Sequence, residues 1–349
     1  MADKSLIEWT DATWNPITGC SVVSPGCRHC YAMKLAGGRL RHHPTRAGLT
    51  QQTKAGPVWT GEVRFNDNQL LEPLRWSRAR KIFVCAHGDL FAEGVPDEWI
   101  DKVFAVMALS PQHQFQVLTK RPERMREYLS KIDVAARIAS DALAEVTLDY
   151  TGRAALVFNA MWPLPNVWLG VSAEDQQRAD ERIPVLLDAP AAKRFVSLEP
   201  LLGPIDLGIG RWVGLFSGRF DDPQTPELDW VIVGGESGTA ARPMSVIWAR
   251  SLRDQCQAAG VPFFFKQWGN WVDADHRFDA IERDDVFVIK CGKPWLPPQP
   301  LNYTHAAELA KILGLDEVAH HSDGTTSLPV SKAVAGRLLD GVEHNGMPV

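Results

Sequence analysis

The sequence lacks any apolar run near the roughly eighteen residues that a membrane-spanning helix needs, so no membrane partner is expected. It also lacks a basic start followed by an apolar stretch. Asp3, Glu8 and Asp11 occupy the first dozen positions, which argues against a secretory leader and makes the cytoplasm the expected compartment. Cysteine is scarce, with six in 349 residues, and this argues against a disulfide framework. Three of the six nevertheless fall within eleven positions, as Cys20, Cys27 and Cys30. Clustered thiols in a reducing compartment point to metal. Acidic residues are missing between Asp11 and Glu62, an interval that holds Arg28, Lys34, Arg39, Arg41, Arg46 and Lys54. The net charge of −5 is therefore uneven: residues 1–130 carry 17 Lys and Arg against 13 Asp and Glu. A basic surface beside the cysteines would suit an anionic cluster, an anionic cofactor or a phosphate backbone.

What is present is a chain of alternating patterns. Short β-branched and aromatic runs occur as GEVRF (61–65), KIFVC (81–85), QFQVL (114–118), NVWLG (166–170), KRFVSL (193–198), DWVIVGG (229–235) and PFFFKQ (262–267). An extended DATWNPITG (11–19) brings the candidates to eight. Helical patterns fill most gaps, notably 97–109 after Pro96, 174–188, and 244–259 ending at Gly260. Near-continuous apolar strands separated by helices predict a parallel sheet buried on both faces. The expected fold is α/β, a TIM-like (β/α) barrel of six to eight parallel strands over residues 1–269. Two gaps exceed what a crossover needs: 130–163 reads as an inserted helical pair and 206–228 as a surface excursion. Residues 270–349 read as a C-terminal extension that caps the barrel, with two short strands in RDDVFVIKCGKPW. Helices are expected there in THAAELAKILG and in PVSKAVAGRLLDG, the latter ended by Gly341.

In such barrels the active site lies at the carboxyl ends of the strands. The residues in those positions are unusually polar: His87 and Asp89, Lys120 and Arg121, Ser172 and Glu174, Ser197 and Glu199, Glu236, and Lys266 with Gln267. The cysteines follow the first strand and belong to the same end.

A structural zinc site needs four nitrogen or sulfur ligands in a closed tetrahedron. Here the fourth is hard to find. His29 lies between Cys27 and Cys30, His42 and His43 are alternatives, and no second Cys-x-x-Cys occurs. Cys85, Cys256 and Cys291 are isolated. Three thiolates match a [4Fe-4S] cube whose fourth iron is open. An open iron can chelate S-adenosylmethionine and pass it one electron, giving a 5′-deoxyadenosyl radical. Zinc bound by a non-enzymatic phage nucleic-acid-binding or assembly protein is the alternative.

NPITGC…CRHCYA (15–32) resembles the cluster loop of the radical S-adenosylmethionine enzymes, and in particular their spore photoproduct lyase-like branch. VRFNDNQLLEPL, GDLFAEGVP, VLTKRPERMREYL and LGVSAEDQQRADERIP are similar to later segments of that branch, so the resemblance covers roughly residues 6–270. The chain is also similar to a family of phage and prophage proteins that share the three-cysteine motif. The resemblance implies that Cys20, Cys27 and Cys30 hold the cluster and that His87 and Asp89 contact S-adenosylmethionine. It further implies that Lys120 meets the carboxylate of that cofactor and Glu199 its ribose hydroxyls, and that a reduced flavodoxin or ferredoxin-type protein donates the electron.

Departures from the pattern are specific. Six residues separate Cys20 from Cys27 where the radical enzymes mostly have three, and Ser24, Pro25 and Gly26 offer a turn to absorb the difference. His29 stands where an aromatic is usual. The Gly-Gly-Glu at 234–236 resembles the motif that grips the cofactor's amino group, yet it follows the seventh apparent strand rather than the second. That role is not carried over to Glu236. The lyase's hydrogen-donating cysteine has no counterpart in Cys85 or Cys256. The resemblance to a DNA-acting enzyme and the basic segment 28–54 together point to a nucleotide or nucleic acid as substrate.

Overall fold

The structure, a computed structural model, describes residues 5–146, 162–208, 227–238, 240–273, 287–288, 294–295, 319–323, 325–329 and 332–348. The apolar runs build a seven-stranded parallel sheet flanked by helices, which makes the protein α/β. The strands are β1 (Ala12–Trp14), β2 (Lys81–Val84), β3 (Gln114–Thr119), β4 (Val167–Ser172), β5 (Lys193–Leu198), β6 (Trp230–Gly234) and β7 (Phe263–Gln267). Their order in the sheet is their order in the chain. A doubly wound sheet reverses direction at a switch point. This one never does, and each crossover returns the chain to the next place in line.

The residues explain the arrangement. All six positions of β4 and all five of β6 are buried, as expected for strands covered on both faces. The helix Asp97–Ala108 starts behind Pro96 with Asp97 and Glu98 in its first turn, where acids favour the positive end of the helix dipole. It buries Ile100, Val103, Phe104 and Met107, a 3.6-residue stripe. Gln176–Leu187 and Val246–Ala259 fill the other two helical intervals, and Gly260 caps the second at φ +67°.

The eighth expected strand is not in the sheet. Of GEVRF only Arg64–Phe65 is extended, and it pairs antiparallel with Ile17–Thr18 outside the parallel sheet. Its residues, Arg64 and Phe65, are only half-buried and could not replace a strand covered on both faces. The extension also differs from expectation. Lys332–Ala335 is one turn of helix, after which Leu338–Leu339 pairs antiparallel with Val342–Glu343. Gly336 and Gly341 are both left-handed, so Gly341 turns a hairpin rather than ending a helix. The two short strands expected in RDDVFVIKCGKPW are present as Phe287–Val288 and Pro294–Trp295. The helix Val134–Val146 occupies part of the first long gap. The rest of that insertion (147–161), most of the second (209–226) and THAAELAKILG lie outside the described residues.

The chain divides into two compact units. The first comprises residues 1–172, 180–197 and 210–229, and the second 173–179, 198–209 and 230–349. Strands β1 to β4 and β5 up to Ser197 belong to the first, β6 and β7 to the second. Among the described residues no helix is long and apolar enough to cross a membrane.

Candidate metal centre

The cysteine loop leaves the carboxyl end of β1 and is fixed at its root. Asn15 is buried, and its Oδ1 accepts the backbone N–H of His87 at 2.9 Å. Gly19 donates its N–H to the His87 carbonyl at 3.3 Å and bridges to Gly88. Gly19 has φ +97°, and a Cβ there would lie 2.2 Å from the Glu62 carbonyl oxygen. Only glycine fits both the backbone conformation and the space, which explains a glycine directly before the first cysteine. The long first gap is taken up by a 3-10 turn at Pro25–Cys27, closed by Cys27 N–H on the Ser24 carbonyl at 2.9 Å. Val22 and Val23 ride exposed on the bulge before that turn. Cys30 then precedes the helix Tyr31–Gly37. Cys20 and Cys30 pack against a small satellite core of Ala32, Met33, Ala36, Leu49 and Trp59.

Arg121, at the end of β3, reaches back across the chain to this loop. Its Nη1 donates to Cys20 Sγ at 3.5 Å and to Asp89 Oδ2 at 3.0 Å. Its Nε donates to Glu93 Oε1 at 2.9 Å, and Nη2 to the Ser21 carbonyl at 3.2 Å and to the Ser21 hydroxyl. Asp89 is saturated: Oδ1 accepts Thr119 Oγ1 at 2.7 Å and Phe91 N–H at 3.0 Å, and Oδ2 accepts Arg121 and the Lys120 N–H at 3.2 Å. In this structure its carboxylate orients Arg121 and the end of β3. Burial pushes the Cys20 thiol up to about 12, with Asp89 adding to the rise and Arg121 opposing it. Cys30 and Cys27 add smaller rises. The Asp89 and Cys20 charges together hold the Arg121 guanidinium well above its ordinary range, against a burial that would lower it.

His87 sits on the loop after β2 and faces a second arginine. Arg46 is 5% exposed, and its Nη2 lies 2.7 Å from His87 Nδ1. A guanidinium can only donate, so Nδ1 is the acceptor and the His87 proton resides on Nε2. Burial, then the Arg46 charge, bring the His87 imidazole down to about 4. The remaining bonds of Arg46 go to the Thr45 carbonyl and hydroxyl, and among the described residues its buried Nε has no partner and its guanidinium no carboxylate. Lys120 is half-buried, and its ammonium makes no ion pair among the described residues.

Glu199 belongs to the second unit. Lys266 Nζ binds both of its oxygens, at 2.7 and 2.8 Å, and Gln267 Nε2 lies 3.3 Å from Oε1. Glu236 is gripped by Arg242 through Nε at 2.9 Å and Nη2 at 2.6 Å. Of the other strand-end residues, Ser172 and Ser197 are buried, and the Ser172 carbonyl accepts Arg182 Nη1 at 2.7 Å. Cys85 and Cys256 are buried core thiols, each pushed up to about 12, Cys256 by burial alone.

These donors can be tested against a metal. A single tetrahedral ion draws its sulfur ligands to within about 4 Å of one another, since each bond is only about 2.3 Å long. Among the described residues no group of three or more Cys, His, Asp or Glu gathers in that way. A cube imposes no such convergence, because each cysteine binds a different iron. Cys20, Cys27 and Cys30, carried on one loop with a guanidinium donating to the first, are the residues that would meet that wider demand.

Sequence reasoning placed Arg121 at a strand end, Arg46 in the basic segment and Asn15 in the loop motif without assigning any of them an individual role, and it overlooked Glu93. Arg46 carried a signal, as one cation in a segment without acids. Nothing in sequence marks Glu93, whose partners are set by the fold.

The fold and site together define an α/β protein with a parallel, sequentially ordered sheet and a three-thiol loop at the carboxyl end of its first strand. Over residues 4–348 the chain matches the model of a family described as protein of unknown function (DUF5131), and it belongs to that family. Comparison with curated proteins and with solved structures yields no match.

Proposed function

We propose that the protein is an iron–sulfur radical S-adenosylmethionine enzyme acting on a nucleotide or nucleic acid, and that its sheet is part of a TIM-like barrel. The observation that carries the reading is the loop itself: three thiols after β1, pinned at Asn15 and Gly19, with the Arg121 guanidinium donating to the first of them. Cys20, Cys27 and Cys30 would hold a [4Fe-4S] cluster. When bound, that cluster supplies the electron that cleaves S-adenosylmethionine to the 5′-deoxyadenosyl radical, the electron coming from a reduced flavodoxin or ferredoxin-type donor.

The chain's own residues have distinct parts in this reading. His87, neutral and protonated on Nε2, offers a hydrogen bond and not a positive charge. The Lys120 ammonium, which makes no ion pair among the described residues, suits the cofactor carboxylate. Asp89 acts through Arg121, its oxygens being already satisfied. Glu199, both of whose oxygens accept from Lys266, keeps lone pairs for hydroxyl donors. Arg28, Arg39, Arg41 and Lys54 are exposed in the acid-free segment, a surface suited to phosphate groups.

Anaerobic reconstitution with iron and sulfide, followed by metal analysis and incubation with S-adenosylmethionine and dithionite, tests the reading. The expected result is about four irons and four sulfides per chain, with formation of 5′-deoxyadenosine. One zinc per chain with no uptake of iron would overturn it.

A further inference from the structure

We propose that Arg121 is a positioning residue for Cys20 and sets the reduction potential of the cluster that Cys20 would ligate. The inference rests on the cluster reading above, but it assigns a role to a group outside the cysteine motif. Arg121 is separated from Cys20 by 101 positions in sequence, and only 7% of its side chain is exposed. Its backbone N–H is held by Thr119 Oγ1 at 2.9 Å, and its guanidinium is aimed by Asp89 at 3.0 Å. The fork is thereby directed onto the sulfur of Cys20 and onto both oxygens of Ser21. Thiolate ligands are commonly tuned by the donors around them, because a hydrogen bond or a cation near sulfur stabilises the added electron.

The surroundings of Arg121 make the sign of each change predictable. One cation faces two carboxylates, Asp89 and Glu93, besides the sulfur. In a redox titration one electron passes from dithionite to the cluster, which goes from its 2+ to its 1+ state. Removing the Arg121 charge disfavours that step. Removing the Glu93 charge leaves Arg121 less compensated and favours it. Glu93 is 66% exposed at its side chain, so its replacement leaves the packing of the core intact.

The experiment is an EPR-monitored redox titration of the reconstituted full chain and of Arg121→Gln, Arg121→Lys and Glu93→Gln. Arg121→Gln should shift the reduction equilibrium about tenfold toward the oxidised form, which for one electron is about 59 mV downward. Glu93→Gln should shift it about threefold the other way, and Arg121→Lys, which keeps the charge but loses the fork, should stay within about threefold of the parent. Unchanged potentials in both glutamine variants, or shifts of the same sign, would overturn the assignment while leaving the cluster reading intact. If Arg121→Gln fails to fold, the sign of the Glu93→Gln shift decides alone. A parent protein that takes up no iron overturns the cluster reading and this assignment together.

Discussion

The two units each set carboxylates against cations at the ends of parallel strands, but they balance charge differently. In the second unit Lys266 places one ammonium on both oxygens of one carboxylate, Glu199, and the charges match. In the first unit Arg121 faces Asp89, Glu93 and a cysteine sulfur at once, while Arg46 is buried against a neutral imidazole and two oxygens of Thr45. A matched pair can be explained by the fold alone. A buried cation without a carboxylate is costly, and burial and the neighbouring Arg64 charge bring Arg46 down to about 10. Among the described residues the first unit thus carries charges that are left unmatched, and they lie around the loop where a charged group is proposed to bind.

The largest effect expected from this contrast concerns the thiols. Cys20→Ala, Cys27→Ala or Cys30→Ala should each lower iron uptake more than about tenfold in metal analysis, since even outer contacts of a metal ligand change affinity by that order. Cys256→Ala, which removes a thiol raised by burial alone, should leave uptake unchanged. Equal loss from all four would erase the distinction.

Next comes the root of the loop. Gly19→Ala places a Cβ 2.2 Å from the Glu62 carbonyl in a left-handed backbone, and should cost about 2–4 kcal/mol in denaturant unfolding. Full stability in that variant would show that the loop is not pinned there.

A smaller effect follows from the imidazole that faces Arg46. The folded His87 value, about 4, lies below the ordinary 6.5, so as the pH falls the unfolded chain takes up the proton first. Stability present above pH 6.5 is therefore lost between pH 6.5 and about 4, by about 1–3 kcal/mol after allowing for partial exposure. Compared by denaturation across that window, His87→Gln should show a shallower slope than the parent. An equal slope would mean that burial and the Arg46 charge do not hold His87 neutral in the folded protein.

The smallest effect belongs to the matched pair. Lys266→Met should cost about 1–2 kcal/mol by stranding a partly buried Glu199, with iron uptake unaffected. A loss of uptake would break the contrast between the units.

Much of the fold could be read from sequence where the signal was local. The strands around 81, 114, 166, 193, 229 and 262, the helix after Pro96 and the cap at Gly260 each follow from hydrophobic period and end residues. The errors arose where pairing decides the outcome. GEVRF has the composition of a strand, but its partner is Ile17–Thr18 and its direction antiparallel. PVSKAVAGRLLDG has helical spacing, yet Gly336 and Gly341 in left-handed conformations turn most of it into a hairpin. Of the site, the cysteine loop could be read because its residues are neighbours in the chain.

By itself, the sequence determined the alternating α/β pattern, the three-thiol loop with its turn at Ser24–Cys27, and the acid-free segment that follows it. Each depends on residues within a few positions of one another, where backbone propensity and side-chain period act directly. Only the tertiary structure decided that seven strands and not eight form the parallel sheet, that Arg121 meets Cys20, and that Arg46 meets His87. Those contacts join residues 101 and 41 positions apart. A charge finds its partner across such distances only when the fold has brought the segments that carry both together.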